Sequence, residues 1–107
     1  RRGLAVVKRG EVYWVNLDPT RGSEIRKTRP GLVISPDDMN RVLPRVIVAP
    51  LTSVGQPLGC RPEIRFKGKR ARILLDQVRA VDRARLGKCM GEIPLHKWHD
   101  VLMEMLA

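Results

Sequence analysis

The stretch Gly22-Ser23-Glu24-Ile25-Arg26-Lys27-Thr28-Arg29-Pro30 carries the residues best suited to chemistry in this chain. Three basic side chains and one carboxylate crowd a segment that opens on turn residues. It closes at Pro30, whose fixed φ sets the backbone for a following strand. A basic loop anchored at a rigid edge offers several donors to a polynucleotide phosphate. Arg29 is the best placed of them, because its planar fork can hold two phosphate oxygens at once, which an ammonium cannot. A solvated charged hairpin is the competing reading, and the residues alone leave the two open. Arg26, Lys27, Arg41, Arg65, Lys67, Lys69 and Arg70 are further candidates for backbone phosphate contacts, although charge runs are often no more than solvated faces. Tyr13 and Trp14 could stack on bases, with core or interface packing the alternative for at least one. His96, His99 and Cys89 are spaced too loosely, and lack a second anchored ligand pair, for a metal to be expected.

The charge of the whole chain fits an anionic partner. Twenty-one Lys and Arg stand against eleven Asp and Glu, a net charge of +10 over 107 residues. The bases are spread along the sequence instead of gathered in a tail, so the field belongs to a folded surface and attracts polyanions. No apolar run approaches the ~18 residues of a membrane span. Gly3 to Val7 is too short for the apolar core of a secretory signal, and the opening Arg1-Arg2 lacks an initiator methionine. Cys60 and Cys89 make a sparse pair, not a disulfide framework. The expectation is a cytoplasmic protein with reduced thiols and no membrane partner.

The elements that must position these residues read as many short strands closed by one helix. The chain shows no repeat or linker and reads as one unit, a single domain over residues 1–107. Glu11 to Leu17 has strand content, with Tyr13, Val15 and Leu17 on the core side and Trp14 on the other. Asp18 to Ser23 is turn chemistry. Gly31 to Ser35 predicts a second strand ending at Pro36, and Asp37 to Arg41 one short helical turn. Val46 to Leu51 is a continuous apolar run, as a strand buried on both faces would be. Glu63 to Phe66 alternates, Lys67 to Arg70 is a basic turn, and Ala71 to Leu75 returns as hairpin partner. Val78 to Val81 is one more strand. Leu95, Trp98, Val101, Leu102 and Met105 recur at helical spacing, with Pro94 suited to the first turn. The fold class is mainly β: a small antiparallel barrel with a C-terminal amphipathic helix packed on it.

At this point the order of motifs becomes recognisable. Lys8 to Glu24, then Thr28-Arg29-Pro30 and Leu32-Val33-Ile34-Ser35-Pro36, closely resemble the opening of MazF/PemK/Kid toxins. Val48-Ala49-Pro50-Leu51-Thr52-Ser53 is similar to the family strand that ends in a site threonine, and Leu75 to Asp82 to its Asp-Gln block. The match runs from about Lys8 to the final helix. The resemblance implies an SH3-like barrel of the CcdB/PemK kind, a two-fold homodimer, and cleavage of single-stranded RNA beside a ribose 2′-hydroxyl without metal or cofactor. It also implies a small acidic antitoxin, with operator DNA reached only through that complex.

Carried over by position, the resemblance makes Arg29 and Thr52 the residues flanking the scissile phosphate. Arg29 is assigned to charge stabilisation; an ordinary guanidinium titrates above ~12, too high for a general base. Thr52 can donate to a phosphate oxygen or relay a proton, against a plain strand-end threonine. Glu24 is the nearest carboxylate for general base work, on a loop that RNA must order. Arg26, Lys27, Thr28, Ser53, Arg65, Lys69, Asp76 and Gln77 complete the expected RNA-contact set, with Asp76 equally readable as a turn acceptor. Some members carry a catalytic arginine two positions before this aspartate; here Leu74 stands there, which shifts weight to Arg29. A non-catalytic basic barrel and a relative that has lost activity are the rivals. Gyrase poisons of the CcdB type, which share the fold, end in Trp-Gly-Ile, whereas this sequence reads Met103-Glu104-Met105-Leu106-Ala107.

Overall fold

The computed structural model describes residues 6–17 and 28–107. Strands β1 (Glu11–Asn16), β2 (Thr28–Val33), β3 (Arg45–Thr52), β4 (Glu63–Phe66), β5 (Lys69–Ile73), β6 (Arg79–Asp82) and β7 (Leu86–Glu92) form one antiparallel sheet. Its order is β4-β5-β3-β2-β1-β7, with β6 also paired to β3. Helix α1 (Asp37–Val42) joins β2 to β3, and α2 (His99–Leu106) ends the chain after a 3-10 turn at Leu95–Lys97.

The sheet curls because its central strands bury both faces. Val12, Leu32, Ala49, Leu51, Ile64, Ile73 and Leu75 pack on one side against Ile93, Trp98 and Leu102. Val7, Tyr13, Val15, Val33, Val46, Val48 and Val81 cluster on the other. Val46 to Leu51 therefore behaves as its apolar run predicts, and burial of such a run is the main stabilising term of the fold. Tyr13 and Val15 are buried as expected, and Trp14 is 42% exposed. Val12, on the opposite side, is buried as well, so β1 is not a one-sided strand.

Edges β4 and β7 of the curled sheet meet through side chains. Phe66 reaches across to Gly91, where an added Cβ would lie 3.4 Å from the ring. The β4–β5 hairpin that carries Phe66 turns on two residues, Lys67 and Gly68, both at positive φ (54° and 78°), as a type I′ connection requires. The turn is thus tighter than the four-residue basic turn the sequence suggests, and Lys69 and Arg70 belong to β5. The half-barrel is closed by packing, not by a ladder.

Three elements depart from expectation. Strand β2 begins at Thr28, so Arg29 and Pro30 lie within it, opposite Val15 and Trp14. Proline is tolerated there because the β2–β3 ladder covers only Gly31 to Val33, leaving Pro30 with one strand neighbour. Strand β7 has no counterpart in the sequence reading; its Gly87 and Gly91 dilute any strand signal, and it pairs with β1 through register shifts. The terminal helical segment is broken at Trp98, whose φ of −144° separates the 3-10 turn from α2. Trp98 and Leu102 still anchor it in the core, while Leu95 and Met105 are exposed.

Candidate functional site

The rim where β2 begins and β3 ends is the place where the sequence-predicted residues meet. Cross-strand partners of β2 and β3 pair Gly31 with Pro50 and Leu32 with Ala49. Continuing that register by two residues sets Arg29 opposite Thr52. Both line a cleft of about 600 Å³ together with Trp14, Pro30, Leu51, Ser53, Phe66, Lys67, Lys69 and Met90. Arg70 and Ala71 complete it.

The cleft joins two chemistries. Its apolar part is built by Trp14, Leu51, Phe66 and Met90, a surface suited to the face of a nucleobase. Its charged part is exposed Arg29, Lys67, Lys69 and Arg70. Arg70 is already engaged, its Nε 3.1 Å from Glu63. The Lys67 ammonium lies 6.0 Å from the Phe66 ring centroid, so cation and ring are held side by side at the hairpin tip. Thr52 Oγ1 accepts from the Val54 amide at 3.2 Å, which fixes the hydroxyl oxygen and leaves its hydrogen to donate. None of the described lining residues is a carboxylate or a histidine.

Other expected residues lie elsewhere. Thr28 is exposed beside Arg29, opposite Asn16, and does not line the cleft. Arg65 is exposed and donates to the Gly68 carbonyl at 3.1 Å. Arg41 pairs with Asp38 on α1. Glu24, Arg26 and Lys27 lie outside the described residues. Buried Tyr13 donates to Glu11 at 2.8 Å; burial and that carboxylate push its phenol far up, so it stays protonated and is no base. Leu74 is buried, and no cation enters the cleft from that position. His96 and His99 sit in the terminal segment, and among the described residues no His, Cys, Asp and Glu gather to hold a metal.

Asp76 and Gln77 occupy a 3-10 turn, Leu75–Gln77, outside the cleft lining. Asp76 accepts from both Nε and Nη2 of Arg61 at 2.9 Å. Arg61 also lies behind the end of β3: a Cβ on Gly55 would stand 3.4 Å from Thr52 Cγ2 and 3.9 Å from Arg61 Nη1. The bidentate pair therefore ties the segment after Thr52 to the turn before β6. Neither Arg61 nor the rim residues Phe66 and Met90 were singled out in the sequence. Phe66 shares the inner side of an alternating strand with Ile64, a readable signal; Met90 has none, because its strand is invisible to propensity.

The Arg61 guanidinium holds the Asp76 carboxyl below the usual carboxylate range. The stabilisation is present above the ordinary aspartate value of about 3.9 and is lost as pH falls through the lowered folded value. Thermal melts from pH 7 down to 3 should show the wild type losing stability more steeply than Asp76→Asn, which lacks this component throughout. Parallel curves would mean that the pair contributes nothing. Because the pair is partly solvated, the difference is expected to be modest.

A curled antiparallel half-barrel with a basic, aromatic-walled cleft at its rim defines a small β protein whose open surface is suited to a polyanion. Comparison with known proteins sharpens that class. Residues 8–106 match the family model described as PemK-like, MazF-like toxin of type II toxin-antitoxin system, and the chain belongs to that family. It is 40% identical over 87 residues to endoribonuclease EndoA of Bacillus subtilis (strain 168), covering 76% of this chain and 75% of that one. It is 36% identical over 102 residues to endoribonuclease PemK of Escherichia coli, covering 90% and 77%. Among solved structures, MazF of Deinococcus radiodurans superposes with a TM-score of 0.78 at 28% identity, over 96% of this chain and 98% of that one. A MazE-MazF structure from the same organism gives a TM-score of 0.80, also at 28% identity, over 96% and 97%.

Proposed function

We propose that this toxin is a sequence-specific endoribonuclease that cuts single-stranded RNA, messenger RNA foremost, without a metal ion, and so inhibits translation and growth. The observation that carries the reading is the shared cleft of Arg29 and Thr52, walled by Trp14 and Phe66. The names of EndoA and PemK as endoribonucleases support the same reaction class.

The reaction makes definite demands. A ribose 2′-hydroxyl loses its proton and its oxygen attacks the adjacent phosphorus. The bond to the 5′-oxygen breaks, that oxygen takes up a proton, and the products are a 2′,3′-cyclic phosphate and a 5′-hydroxyl. The nucleophile belongs to the substrate, so no metal is needed to generate one. Arg29 neutralises the charge that builds on the phosphorane oxygens, and Thr52 donates to one of them. Lys67 and Lys69 hold flanking phosphates, and Trp14 and Phe66 stack on a base. Proton removal is assigned to Glu24, the carboxylate nearest to Arg29 in the sequence. Asp76 acts at one remove, through Arg61.

Two partners follow from the reading: a second copy of the chain in a homodimer, and a small acidic antitoxin; the similar Deinococcus radiodurans structure holds MazF together with MazE. RNA is met in the cytoplasm, and no described helix is long and apolar enough to cross a membrane. The test is incubation of the purified protein, with a chelator present, on single-stranded RNA, the same RNA annealed to its complement, and single-stranded DNA of matching sequence. Only the first should be cut. Cleavage of all three, or of none, contradicts the proposal.

A further inference from the structure

After β3 ends at Thr52, residues Ser53 to Gly59 are exposed, and the backbone hydrogen bonds described there, Leu58 to Gln56 and Arg61 to Leu58, are local. Local bonds shape such a loop but give it no fixed place on the sheet. Yet this loop decides where the Thr52 hydroxyl points. Oγ1 accepts from the Val54 amide, and the methyl Cγ2 faces Gly55, whose φ of +136° is a glycine conformation. One segment thereby sets both branches of a β-branched side chain. Arg61 fastens that segment at two points. Its carbonyl accepts from Arg72 Nη1 at 3.2 Å, and Arg72 is the ladder partner of Thr52 in β3–β5. Its guanidinium, on a side chain only 16% exposed, takes both oxygens of Asp76. Asp76 stands on a turn that is itself fixed: Leu75 is fully buried, and the Leu74 amide donates to the Pro50 carbonyl of β3 at 2.8 Å. The side of Gly55 where a Cβ would stand faces both Thr52 Cγ2 and Arg61 Nη1, so methyl, glycine and guanidinium pack as one cluster.

We propose that Arg61 is a positioning residue: gripped by Asp76, it holds the loop that aims the Thr52 hydroxyl into the rim cleft. The inference rests on the nuclease reading for the task of that hydroxyl, which is donation to a phosphorane oxygen. Arg61 does not line the cleft, and its Nε and Nη2 are engaged by Asp76, so its part is geometric and not that of a phosphate contact. The geometry is demanding. A donor to a developing oxyanion works over a window of about 0.4 Å, from roughly 2.7 to 3.1 Å. A threonine that changes its χ1 rotamer leaves that window altogether. Ser53, which also lines the cleft, is carried by the same loop.

The test is a double-mutant cycle with a spectroscopic readout beside it. Arg61→Lys keeps the charge and loses the fork, and Asp76→Asn breaks the pair from the other side. Each is made alone and together with Thr52→Val, which removes the hydroxyl at nearly constant shape. Either single variant should lower kcat about tenfold, short of the ~10²-fold that a misplacement of about 1 Å costs, with KM within about twofold. On top of Thr52→Val the same changes should cost little more, because the group they position is already gone. In ¹³C-threonine protein, the three-bond couplings of Thr52 Cγ2 should show one χ1 rotamer in the wild type and averaging in the variants. Should the ion-pair variants melt early, Gly55→Ala serves, since its Cβ intrudes on the same cluster and leaves Arg61 and Asp76 in place. Losses that multiply with Thr52→Val, or a lowered melting temperature with unchanged kcat, overturn the proposal. So does weaker binding of an uncleavable 2′-O-methyl RNA with unmoved couplings, which would make Arg61 a phosphate contact. If the wild type cuts RNA and the couplings stay fixed in the variants, the positioning role alone falls. If it cuts nothing yet the couplings average, the positioning stands and the nuclease reading falls.

Discussion

Arg29→Ala is expected to lower turnover of single-stranded RNA by about 10²–10³-fold, the usual loss when one preorganised donor to a developing oxyanion is removed. The effect should fall on kcat more than on KM, because the phosphorane carries more charge than the ground-state diester and the proposed role of Arg29 is to act on the difference. Arg29→Lys recovers little: an ammonium keeps the charge but not the paired geometry of the fork. The fold should survive both changes. Arg29 is exposed near the start of β2, and its ladder to Val15 is made by the backbone. Single-turnover cleavage beside a thermal melt separates the two effects. Near-normal turnover in a folded Arg29→Ala would remove this residue from the chemical step.

A larger loss is expected from the substrate side. Replacing one ribose, on the 5′ side of the scissile bond, by 2′-deoxyribose removes the nucleophile itself, and cleavage at that bond should become undetectable. Binding should change little, because in the proposed reading the phosphates are held by Arg29, Lys67 and Lys69 and a base by Trp14 and Phe66, which line the cleft. The substituted RNA should therefore act as a competitive inhibitor with affinity close to that of the natural strand. Residual cutting at the substituted position would mean that an external water or a protein group attacks the phosphorus.

Much of the fold was legible in local pattern, and the reasons differ by element. Alternation placed Val15 and Tyr13 inside and Trp14 outside, because a strand's period of two is dictated by its backbone. The apolar run of β3 declared itself buried on both faces. What sequence pattern missed depends on distant partners. Leu86–Glu92 is a strand because β1 offers it a ladder, not because Gly87, Lys88 or Gly91 favours one. Its Met90 consequently enters the cleft unannounced. Thr28 to Pro30 reads as loop and forms strand, for the same non-local reason.

The candidate site divides in a similar way. Arg29, Thr52 and Ser53 line one cleft because β2 and β3 are neighbours in register, and Lys69 joins them from β5. Asp76 and Gln77 do not join them, and the cause is a single side chain. Arg61, fifteen positions earlier in a segment without a motif, takes both carboxylate oxygens of Asp76. Charge alone could not have chosen that partner among so many bases.

Mass analysis of the ends left on a cut RNA, in the presence of chelator, addresses the mechanism most directly. An upstream fragment ending in a 2′,3′-cyclic phosphate and a downstream fragment beginning with a 5′-hydroxyl are the products expected when the sugar's own oxygen breaks the strand beneath Arg29 and Thr52. A 3′-hydroxyl paired with a 5′-phosphate, or cutting that stops when divalent ions are removed, would contradict it.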